Sequence, residues 1–130
     1  FLKENILPMH ESGRLKFIDP NQPSPFSQFD IFYTSGHTDK MMVPIIKYGD
    51  KTVCFVADLL PSAAHIPLPY IMAYDTRPLL SLQEKEQFLK LALEENFILF
   101  FEHDPINECC TLQSSERGPK LDRTFSLAEL

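Results

Sequence analysis

Short runs rich in β-branched and aromatic residues, bounded by turn-forming residues, predict strands at Phe29–Thr34, Met41–Tyr48 and Thr52–Ala57. Gly49-Asp50-Lys51 between the last two reads as a hairpin turn, with Gly49 free to take a positive φ. The alternation in Gly13–Ile18 predicts another short strand, after a lead-in at residues 1–8, helical or extended, that Pro8 stops. Residues 19–27 hold Pro20, Pro23 and Pro25 and form a loop, and Leu60–Pro78, with four prolines, reads as an ordered loop with short turns. Ser81-Leu82-Gln83-Glu84 has the letters of a capping box and predicts a helix running to about Asn96. Phe88, Leu89, Ala92 and Leu93 make its apolar stripe, and Glu84, Glu86, Lys90 and Glu94 its water face. Phe97–Phe101 is continuously apolar, as in a strand buried on both faces. Thr111–Ser114 and Leu121–Ser126, parted by a Gly118-Pro119 turn, complete the strands.

Hairpins, a helix and a further buried strand amount to an α/β chain with a mainly antiparallel sheet and at least one packing helix. Its 130 residues suit a single domain. A formal charge of −6 argues against an electrostatic grip on nucleic acid or an anionic membrane, and no apolar run reaches the ~20 residues of a membrane span. Cys54, Cys109 and Cys110 form no disulfide framework and read as structural or incidental thiols in a reducing compartment, so the expected location is cytoplasmic. The opening Phe1-Leu2-Lys3 has neither an initiator Met nor a signal-peptide layout, which is expected of a chain cut from a longer one.

The chemistry gathers at strand ends. Gly36-His37-Thr38, Ala57-Asp58-Leu59 and Glu102-His103-Asp104 each follow a predicted strand. An ionised carboxylate at the mouth of an apolar strand costs several kcal/mol unless donors or a cation offset it. Two imidazoles and a carboxylate are donors suited to Zn²⁺, Fe or Mn. Taken singly, each has a plainer role as a hydrogen-bonded structural histidine or a turn-forming aspartate.

Gly-His-Thr, with Asp58 21 residues after His37 and His103 45 residues after Asp58, resembles the C-terminal half of the metallo-β-lactamase fold. The resemblance covers residues 10–126, and Ala64–Tyr70 with Tyr74-Asp75 is similar to the lactonase and organophosphate-hydrolase-like branch. It implies the C-terminal half of an αββα sandwich. His37 would be a ligand of a first metal, Asp58 the catalytic bridge between two metals, and His103 a ligand of the second. Thr38, His65, Tyr70 and Asp75 would be supporting or pocket groups. The implied cofactors are two divalent metals, zinc first, with iron or manganese as alternatives. The implied activity is hydrolysis of an ester, lactone or related bond of a small molecule by a metal-bound hydroxide.

The family's His-x-His-x-Asp-His motif appears nowhere in the chain, and neither does Gly-His-Thr-Pro-Gly-His, since Thr38 is followed by Asp39-Lys40-Met41. Residues 1–130 are thus expected to be one partial domain without the N-terminal metal-motif half. On its own such a piece would carry its metals partly or not at all, lack useful turnover, and associate with its other half or with copies of itself. A non-catalytic assembly role and a diiron oxidoreductase of the same fold stay open.

Overall fold

The computed structural model describes residues 2–130. Helix α1 (Lys3–Glu11) is solvated along its length and buries none of its residues. It passes through Pro8, where the sequence expected a stop. The missing proline N–H forfeits one hydrogen bond, and the helix continues beyond it with Ser12 N–H donating to the Pro8 carbonyl at 3.1 Å. Gly13–Ile18 forms no strand. Leu15 and Phe17 stand in solvent, Phe17 at 85% exposure, because a two-residue period makes a strand only where another strand lies alongside.

Six strands form one sheet in chain order: β1 (Phe29–Thr34), β2 (Met41–Tyr48), β3 (Lys51–Phe55), β4 (Ile98–Phe100), β5 (Cys109–Gln113) and β6 (Lys120–Phe125). All neighbours are antiparallel except β3 and β4, which run parallel through Val53–Ile98, Cys54–Leu99 and Phe55–Phe100. The α/β class and the mainly antiparallel sheet are therefore as the pattern predicted. A parallel pair needs a crossover, and helix α2 (Pro78–Glu94) supplies it. The β2–β3 hairpin turns on Gly49-Asp50, with Gly49 at φ +63°. Strand β5 starts two residues earlier than expected because Cys109 and Cys110 are fully buried sheet residues; with Cys54 they are free thiols. Burial pushes Cys54 and Cys110 up to about 12, which leaves them inert small hydrophobes.

The sheet's two faces differ. On one, Val43, Cys54, Leu99 and Cys110 pack against Phe88, Leu89 and Ala92 of α2, joined by Phe32 of β1. On the other, Val53, Ile98 and Cys109 lie with Phe100, Phe125 and the C-terminal Leu130, while Met42, Ile46 and Tyr48 are exposed. Among the described residues the core therefore comprises one sheet with one long packing helix.

Helix α2 departs from its sequence reading in two ways. It opens at Pro78, a residue well suited to a first helical position, so Ser81 lies inside the first turn and its buried hydroxyl has no partner. The capping box expected for α2 does not form there. Lys85 is fully buried, and its Nζ donates to the carbonyls of Pro67 (2.8 Å), Leu68 (3.2 Å) and Tyr70 (2.9 Å). One ammonium thus staples the proline-rich loop to the helix. Replacing Lys85 with Met leaves three carbonyls without that donor and should cost about 2 kcal/mol or more. Urea denaturation of the two chains measures this, and equal midpoints would show the staple to be energetically idle.

Candidate metal centre

Strands β1, β3 and β4 run in the same direction, β1 by way of two antiparallel steps, so their C-terminal ends share one edge of the sheet. His37 follows β1, Asp58 follows β3 and His103 follows β4. The Val56 N–H bonds the Phe100 carbonyl at 3.1 Å, extending the parallel pairing to the point where the chain leaves it. There Ala57 takes φ +44°, a left-handed conformation that costs a non-glycine residue about 1–2 kcal/mol. The strained residue starts the 3₁₀ turn Ala57–Leu59 and swings Asp58 to the sheet edge.

Asp58 lies between the two imidazoles. Its Oδ2 is 3.4 Å from His37 Nε2 and its Oδ1 3.3 Å from His103 Nε2. On the other side of its ring, His37 Nδ1 is 2.9 Å from Oδ1 of Asp75, whose side chain is only 4% exposed. The ring is thus held between two carboxylates, Nδ1 toward Asp75 and Nε2 toward Asp58. Tyr74 stands edge-on to the His37 ring, with centroids 6.0 Å apart. Glu102, to which the sequence reading assigned no role, is drawn in as well. One donor atom each from Asp58, Glu102 and His103 lies within 4.8 Å of the others. Its only sequence signal was adjacency to His103.

The outer side is held by Asp104. Its carboxylate accepts from the backbone N–H of Ala63 (2.9 Å), Ile106 (2.9 Å) and Asn107 (2.8 Å), tying the turn after His103 to the loop after Asp58. The His103 N–H adds a bond to the Pro61 carbonyl at 3.1 Å. Burial works to raise the Asp104 carboxyl, but the amides of Asn107, Ala63 and Ile106 outweigh it and hold it at about 2.

The other sequence candidates fall as follows. Asp75 meets the His37 imidazole. Thr38 is exposed, and it is Thr76 whose hydroxyl reaches the carbonyls of Gly36 (3.1 Å) and His37 (2.9 Å). His65 pairs locally with the Ser62 hydroxyl at 2.9 Å; burial, then the Lys85 ammonium, push its imidazole below the ordinary value, with Asp75 pulling the other way. Tyr70 gives its carbonyl to Lys85 and leaves its side chain exposed. Gly36 is required sterically, since a Cβ there would overlap the Ser81 backbone and hydroxyl. Two imidazole nitrogens turned to the two oxygens of one carboxylate fit divalent ions of the zinc, iron and manganese kind better than calcium or magnesium, which favour all-oxygen shells.

No protein-family model matches the chain, and no curated protein does. Solved structures do match. AidC, a dizinc quorum-quenching lactonase in complex with a product, is 26% identical with a TM-score of 0.75, covering 94% of this chain and 42% of that one. The hydrolase AbOPH of the beta lactamase superfamily has a TM-score of 0.80 at 17% identity, covering 95% and 43% of the two chains. A probable metal-dependent hydrolase from Staphylococcus aureus has a TM-score of 0.75 at 21% identity, covering 92% and 42%. The chain spans less than half the length of each. These neighbours are metallo-β-lactamase superfamily hydrolases, and this chain has part of their fold.

Asp104→Asn should destabilise the chain at pH 7. The group's folded value lies below its ordinary 3.8, so its contribution is whole above 3.8 and is lost as pH falls through about 2. Urea midpoints of the two chains should therefore converge as pH drops below 4. A gap that stays constant with pH would mean that the carboxylate charge plays no part.

Proposed function

We propose that His37, Asp58 and His103 are ligands of a two-metal hydrolytic centre, and that the chain works within a longer protein that completes it. The observation that supports this best is the placing of one carboxylate between two imidazoles, 3.4 and 3.3 Å from their Nε2 atoms. A shared carboxylate of this kind suits cations about 3.5–4 Å apart. Asp58 and His37 would hold one metal, and Asp58 and His103 the other. Zinc is the first candidate, with iron or manganese as alternatives. When bound, such cations acidify water to a nucleophile near neutral pH and polarise the oxygen of the bond under attack.

The chain's own groups do the rest. Asp75 takes the Nδ1 side of His37 and so fixes the ring with Nε2 toward Asp58. Ala57 and Asp104 hold the Asp58 and His103 turns against one another. Tyr74, 71% exposed and edge-on to His37, offers an aromatic wall to a small-molecule ester, lactone or related substrate. His65, Tyr70 and Thr38 are left as pocket or supporting groups further out.

Three ligands shared between two metals leave each under-coordinated, so the isolated chain should bind Co²⁺ or Zn²⁺ weakly and turn over no lactone or ester. Isothermal titration should show affinity falling about tenfold or more in Asp58→Ala and in His37→Ala. Equal metal binding by these variants and the parent chain would refute the ligand assignment. Turnover by the metal-loaded chain alone would refute the incompleteness.

The same incompleteness has a packing side. The sheet face without a helix exposes Met42, Ile46 and Tyr48 beside the smaller core cluster. Apolar surface of this kind marks an interface. In solution the chain should associate with itself or with the rest of its protein, giving a light-scattering mass above that of one chain. A monodisperse monomer would count against this.

A further inference from the structure

A single stretch of chain, Asp75–Glu84, grips the loop Ser35–His37. The Ser35 N–H donates to Oε1 of Glu84 (2.8 Å) and the Gly36 N–H to its Oε2 (2.9 Å). The Ser35 carbonyl accepts from Arg77 Nη1 (2.6 Å) and the Gly36 carbonyl from the Arg77 N–H (2.8 Å). The His37 carbonyl accepts from the N–H (3.3 Å) and hydroxyl (2.9 Å) of Thr76, while Asp75 takes the His37 ring. Arg77 also reaches Asp39 beyond the loop at 2.8 Å. Five backbone polar groups in three consecutive residues are thus engaged by one short segment.

Glu84 is the distinctive member. It lies in the second turn of α2, where a solvated carboxylate was expected, and is instead half-buried with one oxygen on each of two successive amides. A half-buried glutamate must find donors to offset its lost hydration. Charge-assisted bonds to N–H groups are about twice as strong as neutral ones, and a two-pronged acceptor fixes direction as well as distance. Both amides precede His37 immediately. Their orientation sets where the imidazole leaves the backbone, and with it whether Nδ1 meets Asp75 and Nε2 faces Asp58. Ser81 closes the other side, packed so closely on Gly36 that no Cβ fits between them.

We propose that Glu84 is a positioning residue for His37, acting through the Ser35 and Gly36 amides to hold the imidazole with Nδ1 at Asp75 and Nε2 turned to Asp58. The proposal rests on the reading of His37 as a ligand, but its first readout needs no metal. Glu84→Gln preserves size and removes charge, turning an NH₂ group toward one of the two N–H donors. In ¹⁵N-labelled chain, long-range ¹H–¹⁵N correlation of the His37 ring should show one sharp set of ring signals in the parent, with nuclear Overhauser contacts to the Tyr74 ring. Glu84→Gln should shift and broaden those ring signals and weaken the Tyr74 contacts, with faster hydrogen exchange at Ser35 or Gly36. Co²⁺ affinity should fall about tenfold. Glu86→Gln, on the exposed side of the same helix, should change none of these. Faster amide exchange with an unchanged His37 ring signature and unchanged Co²⁺ affinity would overturn the proposal and leave Glu84 a helix–loop tie. If Glu84→Gln fails to fold, Glu84→Asp, which keeps the charge but retracts it by one methylene, decides between the same two outcomes. A ring signature that shifts in Glu84→Gln, with no Co²⁺ binding by the parent chain, would sink the metal reading and leave the positioning intact.

Discussion

The parallel pairing of β3 with β4 is the constraint from which most of this structure follows. In an otherwise antiparallel sheet it is the one junction that a hairpin cannot make, so the chain must leave the sheet edge after Asp58 and return by a helix. Because the two strands point the same way, Asp58 and His103 emerge side by side. Because the crossover starts at that same edge, the N-terminal turns of α2 arrive beside the loop carrying His37. The pairing also buries Cys54 and Leu99 under the helix and Val53 and Ile98 on the opposite face, giving the sheet its two apolar sides.

What surrounds the candidate centre is costly to hold. Ala57 keeps a left-handed φ, Asp75 is a carboxylate with almost no solvent, Lys85 is a fully buried ammonium, and Ser81 has an orphaned hydroxyl. None of these helps a generic core. Three of them are tolerated because the groups around them over-determine their place: three carbonyls for Lys85, an imidazole for Asp75, the β3–β4 pairing for Ala57.

Much of this was legible in the residues. Strands β1 and β2 lie where the pattern placed them, to the residue, and the continuous apolar run before His103 is the buried central strand it predicted. His37, Asp58 and His103 were each marked by ending an apolar run, and the structure brings them together. The readings that failed were those in which a local motif competed with a distant partner. Ser81 and Glu84 spell a capping box, yet Glu84 bonds to Ser35 and Gly36, 49 and 48 positions away, while Pro78 begins the helix earlier. Gly13–Ile18 alternates as a strand does but finds no neighbour to pair with.

The division has a physical basis. Periodicity, turn residues and the burial cost of ionisable groups act over a few residues, so the strands, the Gly49 turn and the three candidate ligands could be named from the chain alone. Hydrogen-bond partners of buried polar groups are chosen by proximity in space, which depends on the whole topology. Only the folded chain could decide that Thr76 rather than Thr38 reaches the His37 loop, that Asp75 takes Nδ1, that Glu102 joins Asp58 and His103, that Lys85 is buried on the proline-rich loop, and that Glu84 turns inward from the expected water face.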